Sequence, residues 1–121
     1  MASGGRETIL GLTRDPIFGP VVVFGLGGVL VEALGDVSMR TLPLSRRDAE
    51  AMVAEIRGAK TLDAIRGRKP ADRAAIVDAI LRLAALGMDF GDRIAELDVN
   101  PLVVFDEGRG ARAADALIVR S

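Results

Sequence analysis

Arg93-Ile94-Ala95-Glu96-Leu97-Asp98-Val99-Asn100-Pro101-Leu102-Val103-Val104-Phe105 alternates polar and apolar side chains, and a second apolar run, 111–119 (ARAADALIV), follows it. Between them, Asp106-Glu107-Gly108-Arg109-Gly110 has the composition of a tight turn. The three pieces read as a β-hairpin. Successive residues of a strand face opposite sides, so Glu96, Asp98 and Asn100 project together while Ala95, Leu97 and Val99 turn to a core. With Glu107-Gly108 as a two-residue turn, Asp106 stands opposite Arg109 and, in the same register, Asn100 stands opposite Asp115. Opposed residues share a face, with Cβ atoms about 5 Å apart. A one-residue bulge would move Asp115 off that face.

Upstream of the hairpin, 6–13 (RETILGLT) and 21–24 (VVVF) read as strands, with Asp15-Pro16 opening a turn between them. Gly25-Leu26-Gly27-Gly28 leads into 29–34 (VLVEAL), again strand-like, and Gly35-Asp36 turns the chain into another strand over 37–43 (VSMRTLP). Ser45, with Asp48 three residues on, has the form of a capping box. The helix that it opens is expected to run to about Arg57, with Gly58 ending it and Ala49, Met52, Val53 and Ile56 on one face. A short helical piece is expected around 61–66. A second helix is expected from near Pro70 to Gly87, with Ile76, Ile80, Leu83 and Ala84 as its core stripe. Strands, then helices, then a hairpin define an α+β fold, a mostly antiparallel sheet with helices on one face. Residues 1–5 are expected to be disordered and 6–121 to form one domain.

The chain has 121 residues, half of them apolar and 27% charged, with a net charge of −1. That suits one globular domain and leaves no electrostatic footprint for nucleic acid or an anionic membrane, so neither is expected as a partner. Cys and His are both absent. Disulfides, Cys/His zinc sites, thiol nucleophiles, Ser-His-Asp triads and a phosphohistidine on this chain are therefore excluded. Chemistry is left to carboxylates, amides, Arg, hydroxyls and backbone dipoles. The longest apolar stretch, 21–34, is broken by glycines and too short to span a bilayer. Met1-Ala2-Ser3-Gly4-Gly5 lacks the pattern of a signal peptide, and a cytoplasmic location is the expectation.

Two carboxylates and an amide in one row, roughly 6.5–7 Å apart, repel unless a cation or a donor intervenes. Asp115 is the sole charge in 113–119, and the hairpin register brings it to the same row. Oxygen donors without imidazole or thiolate suit a hard cation, Mg²⁺ or else Mn²⁺ or Ca²⁺. Mg²⁺ completes its shell with water and substrate phosphates, so a site of two or three protein ligands implies a bound nucleotide. The alternative is a solvated polar strand face that needs no metal. Gly25-Leu26-Gly27-Gly28 also has two readings, a loop that lets backbone N–H groups approach phosphate or a tight hairpin between strands. It is not a dinucleotide fingerprint, because Leu30 stands where the third glycine would fall, and no Gly-Lys-Ser/Thr follows. Glu32 and Arg40 each interrupt an apolar strand; they form a facing ion pair, or Arg40 reaches phosphate with its forked guanidinium.

Taken in order, Asp15-Pro16-Ile17-Phe18-Gly19-Pro20 through Gly27-Gly28, Val31-Glu32, Arg40, Pro43-Leu44, Arg66-Gly67, Glu96 to Leu102 and Asp115-Ala116 resemble one family. It is the carboxyl-terminal part of the ATP-grasp domain in ADP-forming acyl-CoA (acetyl-CoA) synthetases, which are similar to succinyl-CoA synthetase. The likeness covers nearly the whole chain. It implies a reaction of acyl-CoA, ADP and phosphate to acid, CoA and ATP through a phosphohistidine. Carried over position by position, it implies Asp98, Asn100 and Asp115 as Mg²⁺ ligands, leaving Glu96 without a clear part. Gly27, Gly28 and Glu32 become the candidate nucleotide (ATP/ADP) contacts, and Arg40 a catalytic counter-charge. The other ATP-grasp half and the CoA-binding domains are the implied partners, and without them no turnover is expected. Apolar surface should be exposed where that half docks, and a homodimer is another way to cover it. Two further classes stay open, a nucleotide-sensing regulatory module such as a protein acetyltransferase fusion carries, and a ligand-free interaction domain.

Overall fold

The computed structural model describes residues 5–26, 36–63, 67 and 69–120. Strands β1 (Arg6–Asp15), β2 (Gly19–Leu26) and β3 (Val37–Thr41) come first. Helix α1 (Arg46–Glu55), a 3₁₀ turn (Arg57–Leu62) and helix α2 (Arg73–Phe90) follow, and β4 (Ile94–Val104), β5 (Ala111–Ala113) and β6 (Ala116–Arg120) complete the order. The sheet runs β3-β2-β1-β4-β5, with β6 also alongside β4, and every pairing among the described residues is antiparallel. Both helices cover the same face, which is the α+β arrangement expected from the sequence. The strand expected over 29–34 and the disorder expected over 1–5, Gly5 apart, lie outside the described residues.

The helix-covered face is built from alternate strand residues. Leu10 and Leu12 of β1, Val22 and Phe24 of β2, and Leu97, Leu102 and Val104 of β4 are buried against Ala49, Met52 and Val53 of α1 and Ile76, Ile80 and Leu83 of α2. Each large apolar side chain buried this way contributes roughly 1.5–3 kcal/mol relative to exposure. The Ser45–Asp48 capping box is present in full. α1 stops at Glu55, and Gly58 lies inside the 3₁₀ turn rather than ending the helix; the Asp36 carboxylate accepts the Arg57 and Gly58 N–H groups at 2.5 and 2.8 Å and so starts that turn.

Three expectations need correction. α2 starts at Arg73, not near Pro70, because Asp72 caps it: its carboxylate accepts the Ala75 N–H at 3.0 Å. α2 also runs past Gly87 to Phe90. Gly87 is a packing position, since a Cβ there would lie 2.6 Å from Leu42 Cδ1 and 2.9 Å from Leu12 Cδ1. The third concerns β4, whose alternation is not continuous. β1 residues Thr8 and Leu10 pair with Leu102 and Val99, so β4 carries one extra residue at Asn100-Pro101, whose peptide bond is cis. Inward residues therefore switch from Leu97 and Val99 to Leu102 and Val104. Thr8 is fully buried beside the irregularity and donates its hydroxyl to the Leu102 carbonyl at 2.8 Å.

Candidate functional site

The hairpin register places the acidic row as read from the sequence. Leu102, Val103 and Val104 pair with Ala113, Arg112 and Ala111, and Leu97, Asp98 and Val99 pair with Ile118, Leu117 and Ala116. The second ladder continues the count of the first, although 111–119 forms two strands with a break at Ala114-Asp115 instead of one. At the break the Asn100 N–H donates to the Asp115 carbonyl at 3.1 Å, and the Ala114 N–H donates to the Pro101 carbonyl at 3.0 Å. Asn100 and Asp115 are thus directly opposed, because the irregularity in β4 is matched by the break between β5 and β6. Both are exposed.

Glu96, Asp98, Asn100 and Asp115 belong to the sheet face that carries no helix, since Leu97, Val99 and their partners Ile118 and Ala116 face α2. Asp98 has Gly11 of β1 on one side and Leu117 of β6 on the other; Glu96 has Thr13 and Val119. A shallow groove of about 150 Å³ lies there, bordered by Ile9, Gly11, Thr13, Val23, Glu96 and Asp98. Exposed Met39, Leu117 and Val119 extend the same face as an apolar surface.

Among the described residues, no hydrogen bond or ion pair engages the side chains of Glu96, Asp98, Asn100 or Asp115, and no three carboxylates converge. Two carboxylates and one amide, all oxygen donors, fit a hard divalent cation whose remaining coordination places go to non-protein ligands.

Arg40 is elsewhere. It pairs with Val22 on the helix side of the sheet, and its guanidinium forms an ion pair with Glu55 of α1 and donates to the Met39 carbonyl at 2.8 Å. The structure does not bring it to the acidic row, and its partner is Glu55. Gly25 and Leu26 are strand residues of β2, whereas Gly27, Gly28, Glu32 and Arg66 lie outside the described residues. In the turn between β1 and β2, the Asp15 carboxylate accepts the Phe18 and Ile17 N–H groups at 3.0 and 2.8 Å, bonds that hold its pKa below the usual 3.8. Sequence reasoning missed Gly11 and Thr13 as neighbours of the acidic row. A lone glycine inside a strand pattern is the signal that could have pointed to the first.

An ATP-grasp domain profile matches residues 1–119. The chain is 45% identical over 119 residues to the β subunit of ADP-forming acetate–CoA ligase II of Pyrococcus furiosus, covering 98% of this chain and 50% of that subunit. It is 48% identical over 108 residues to ADP-forming acetate–CoA ligase I of Archaeoglobus fulgidus, covering 89% of this chain and 16% of that protein. Its fold matches the crystal structure of dinucleotide-forming acetyl-coenzyme A synthetase 1 from Ca. Korarchaeum cryptofilum, in complex with coenzyme A and Mg-AMPPCP. There the TM-score is 0.91 at 45% identity, over 100% of this chain and 55% of that one. The chain belongs to the ATP-grasp domain family. It spans half the length of the Pyrococcus subunit and a smaller share of the Archaeoglobus ligase.

Proposed function

We propose that this chain is the Mg–nucleotide-binding, carboxyl-terminal part of the ATP-grasp domain of an ADP-forming acid–CoA ligase. In that role it acts in phosphoryl transfer between ATP/ADP and a phosphohistidine. The histidine must come from another part of the enzyme, because this chain has none. The carrying observation is the opposition of Asn100 and Asp115 beside Asp98, on the helix-free face of the sheet. The Asp98 and Asp115 carboxylates and the Asn100 amide oxygen hold the divalent ion in this reading, and Glu96 adds negative charge along the same row. When bound, Mg²⁺ supplies charge neutralisation to the β- and γ-phosphate oxygens.

The exposed apolar residues beside the row, Met39, Leu117 and Val119, fit a surface that the other ATP-grasp half covers, with a homodimer as the second way to shield it. Gly27, Gly28 and Glu32 stay assigned to nucleotide contact on the resemblance. The CoA-binding domains of the same enzyme complete the proposed partners, in the cytoplasm.

Calorimetric titration of ADP into the chain, with and without Mg²⁺, tests the reading. Binding that requires Mg²⁺ and is lost in Asp98→Ala is expected. Metal-independent binding would overturn it, as would an absence of binding once the other ATP-grasp half has been supplied.

A further inference from the structure

We propose that Gly11 is a clearance position: its missing side chain leaves the β1 main chain beside Asp98 open to the phosphate-bearing part of a metal–nucleotide. This rests on the nucleotide-binding reading above and extends it to a residue on another strand.

Gly11 sits in the middle of β1, on the helix-free face, paired with Val23 on one side and Asp98 on the other. The fold itself gives no reason for a glycine here. A Cβ at this position would meet only the Leu97 carbonyl oxygen, at an ordinary 3.5 Å, and the backbone is not in the left-handed region. The other glycines from Gly19 to Gly110 among the described residues differ: each has a positive φ or would bring a Cβ within 3 Å of a neighbour. A glycine inside a strand also forfeits side-chain packing and costs backbone entropy, where a β-branched residue would favour the strand. The sequence keeps a destabilising residue where nothing in the fold requires one.

What the absent side chain leaves open is the groove bordered by Ile9, Thr13, Val23, Glu96 and Asp98. Any side chain at position 11 projects into it, directly across from Asp98. The groove suits a polyphosphate only when a cation is bound with it, since Glu96 and Asp98 repel a bare anion. Its apolar border, Ile9 and Val23, continues toward Met39. The ligand class is therefore a metal–nucleotide lying across β1, with its phosphates at Asp98.

Gly11→Ala and Gly11→Val in the 121-residue chain test this, measured beside the wild type and Asp98→Ala. Three readouts are needed: thermal melting, binding of Mn²⁺ alone by water-proton relaxation, and calorimetric binding of ADP with Mg²⁺ in the presence of the other ATP-grasp half. Both glycine variants should melt at or above the wild-type temperature and bind Mn²⁺ alone as the wild type does. Affinity for Mg–ADP should fall with side-chain size, by about tenfold or more for Val. A folded Gly11→Val that binds Mg–ADP like the wild type overturns the inference, as does a lowered melting temperature for Gly11→Ala. If Asp98→Ala abolishes Mg–ADP binding and Gly11→Val does not, only the role of Gly11 falls. If Asp98→Ala is without effect, or the wild type does not bind, the nucleotide-binding reading falls and takes this inference with it.

Discussion

The main-chain N–H of Asn100 donates to the carbonyl oxygen of Asp115 at 3.1 Å, and that bond holds the two residues abreast where both strands depart from regular pairing. An extra residue in β4 alone would have turned Asn100 away from Asp115. The break at Ala114-Asp115 restores the count, so Asp98, Asn100 and Asp115 share a face that neither helix covers.

Because that bond is made by main-chain atoms, Asn100→Ala and Asp115→Ala should leave it in place. Both side chains are exposed and have no partner among the described residues, so each substitution is expected to change stability by less than about 0.5 kcal/mol. Mg²⁺-dependent affinity for ADP should fall at least tenfold, about 1.4 kcal/mol. The double variant should lose little more than either single one, as expected for ligands of one ion. Chemical melts and calorimetry on the four proteins check this; additive losses would speak against a shared site.

Asp72 is the residue on which the hairpin leans. Its carboxylate caps α2 through Ala75 and also accepts the Gly108 and Gly110 N–H groups at 3.2 and 2.9 Å, while its own N–H donates to the Phe105 carbonyl at 2.9 Å. Gly108 and Gly110, both at positive φ, let the turn present those donors. Asp72→Ala removes a cap and leaves two turn donors unsatisfied, which should cost about 2–3 kcal/mol. A urea midpoint shifted by less than half of that would show the clamp to be weak.

How much of this could be read from the residues varies with the range of the interaction that decides it. The hairpin register was legible because turn chemistry and period-2 alternation are both local, and they put Asn100 opposite Asp115 correctly. The Ser45–Asp48 box was legible for the same reason. The irregularity at Asn100-Pro101 was not, because it is defined against β1, about ninety residues earlier in the chain. Arg40 was misplaced likewise: its position in β3 is local, but the face it takes follows from Ser38 and Phe24 packing under α1. The neighbours of Asp98 come from β1 and β6, and no spacing in the sequence names them.

Gly87 illustrates the same limit. By composition it is a helix stop, yet it lies inside α2, where the helix packs tightly against Leu12 and Leu42. Alanine there gains about 1 kcal/mol of helix propensity but forces the helix away from the sheet, at a cost of about 1–3 kcal/mol. Gly87→Ala should be net destabilising, and Gly87→Val more so. Thermal melting of the two variants decides it; a stabilised Gly87→Ala would mean that the helix–sheet gap yields freely.

Arg40 separates an electrostatic role in folding from one in catalysis. Its pairing with Glu55 is partly exposed at both ends, 31% and 47%, so it should be worth no more than about 1 kcal/mol. Arg40→Ala is expected to lower stability slightly more than Glu55→Ala, because it also loses the bond to the Met39 carbonyl, with a double variant no worse than Arg40→Ala. Neither should alter Mg–ADP binding, because the guanidinium lies on the far side of the sheet from Asp98. A tenfold loss of nucleotide affinity in Arg40→Ala, with Glu55→Ala unaffected, would return Arg40 to the phosphates.

Asp48 makes the acid limit of the fold testable. Its carboxylate accepts the Ser45 N–H at 2.8 Å, and the Ser45 hydroxyl accepts the Asp48 N–H at 3.1 Å. The bond from the Ser45 main chain, then the hydroxyl contact, and last the charge of Arg40 hold the Asp48 pKa below its ordinary 3.8. A carboxyl whose pKa is lower in the folded chain than in the unfolded one stabilises the fold in full above the unfolded value. That contribution is lost as pH falls through the folded value. The wild type should therefore exceed Asp48→Ala in urea midpoint by a constant margin at neutral and mildly acid pH. The margin should shrink only below about pH 4, where an unfolded aspartate begins to protonate. A margin that persists unchanged in strong acid would show that a protonated Asp48 carboxyl caps the helix as well as the carboxylate does, and the charge would not be the source of the stabilisation.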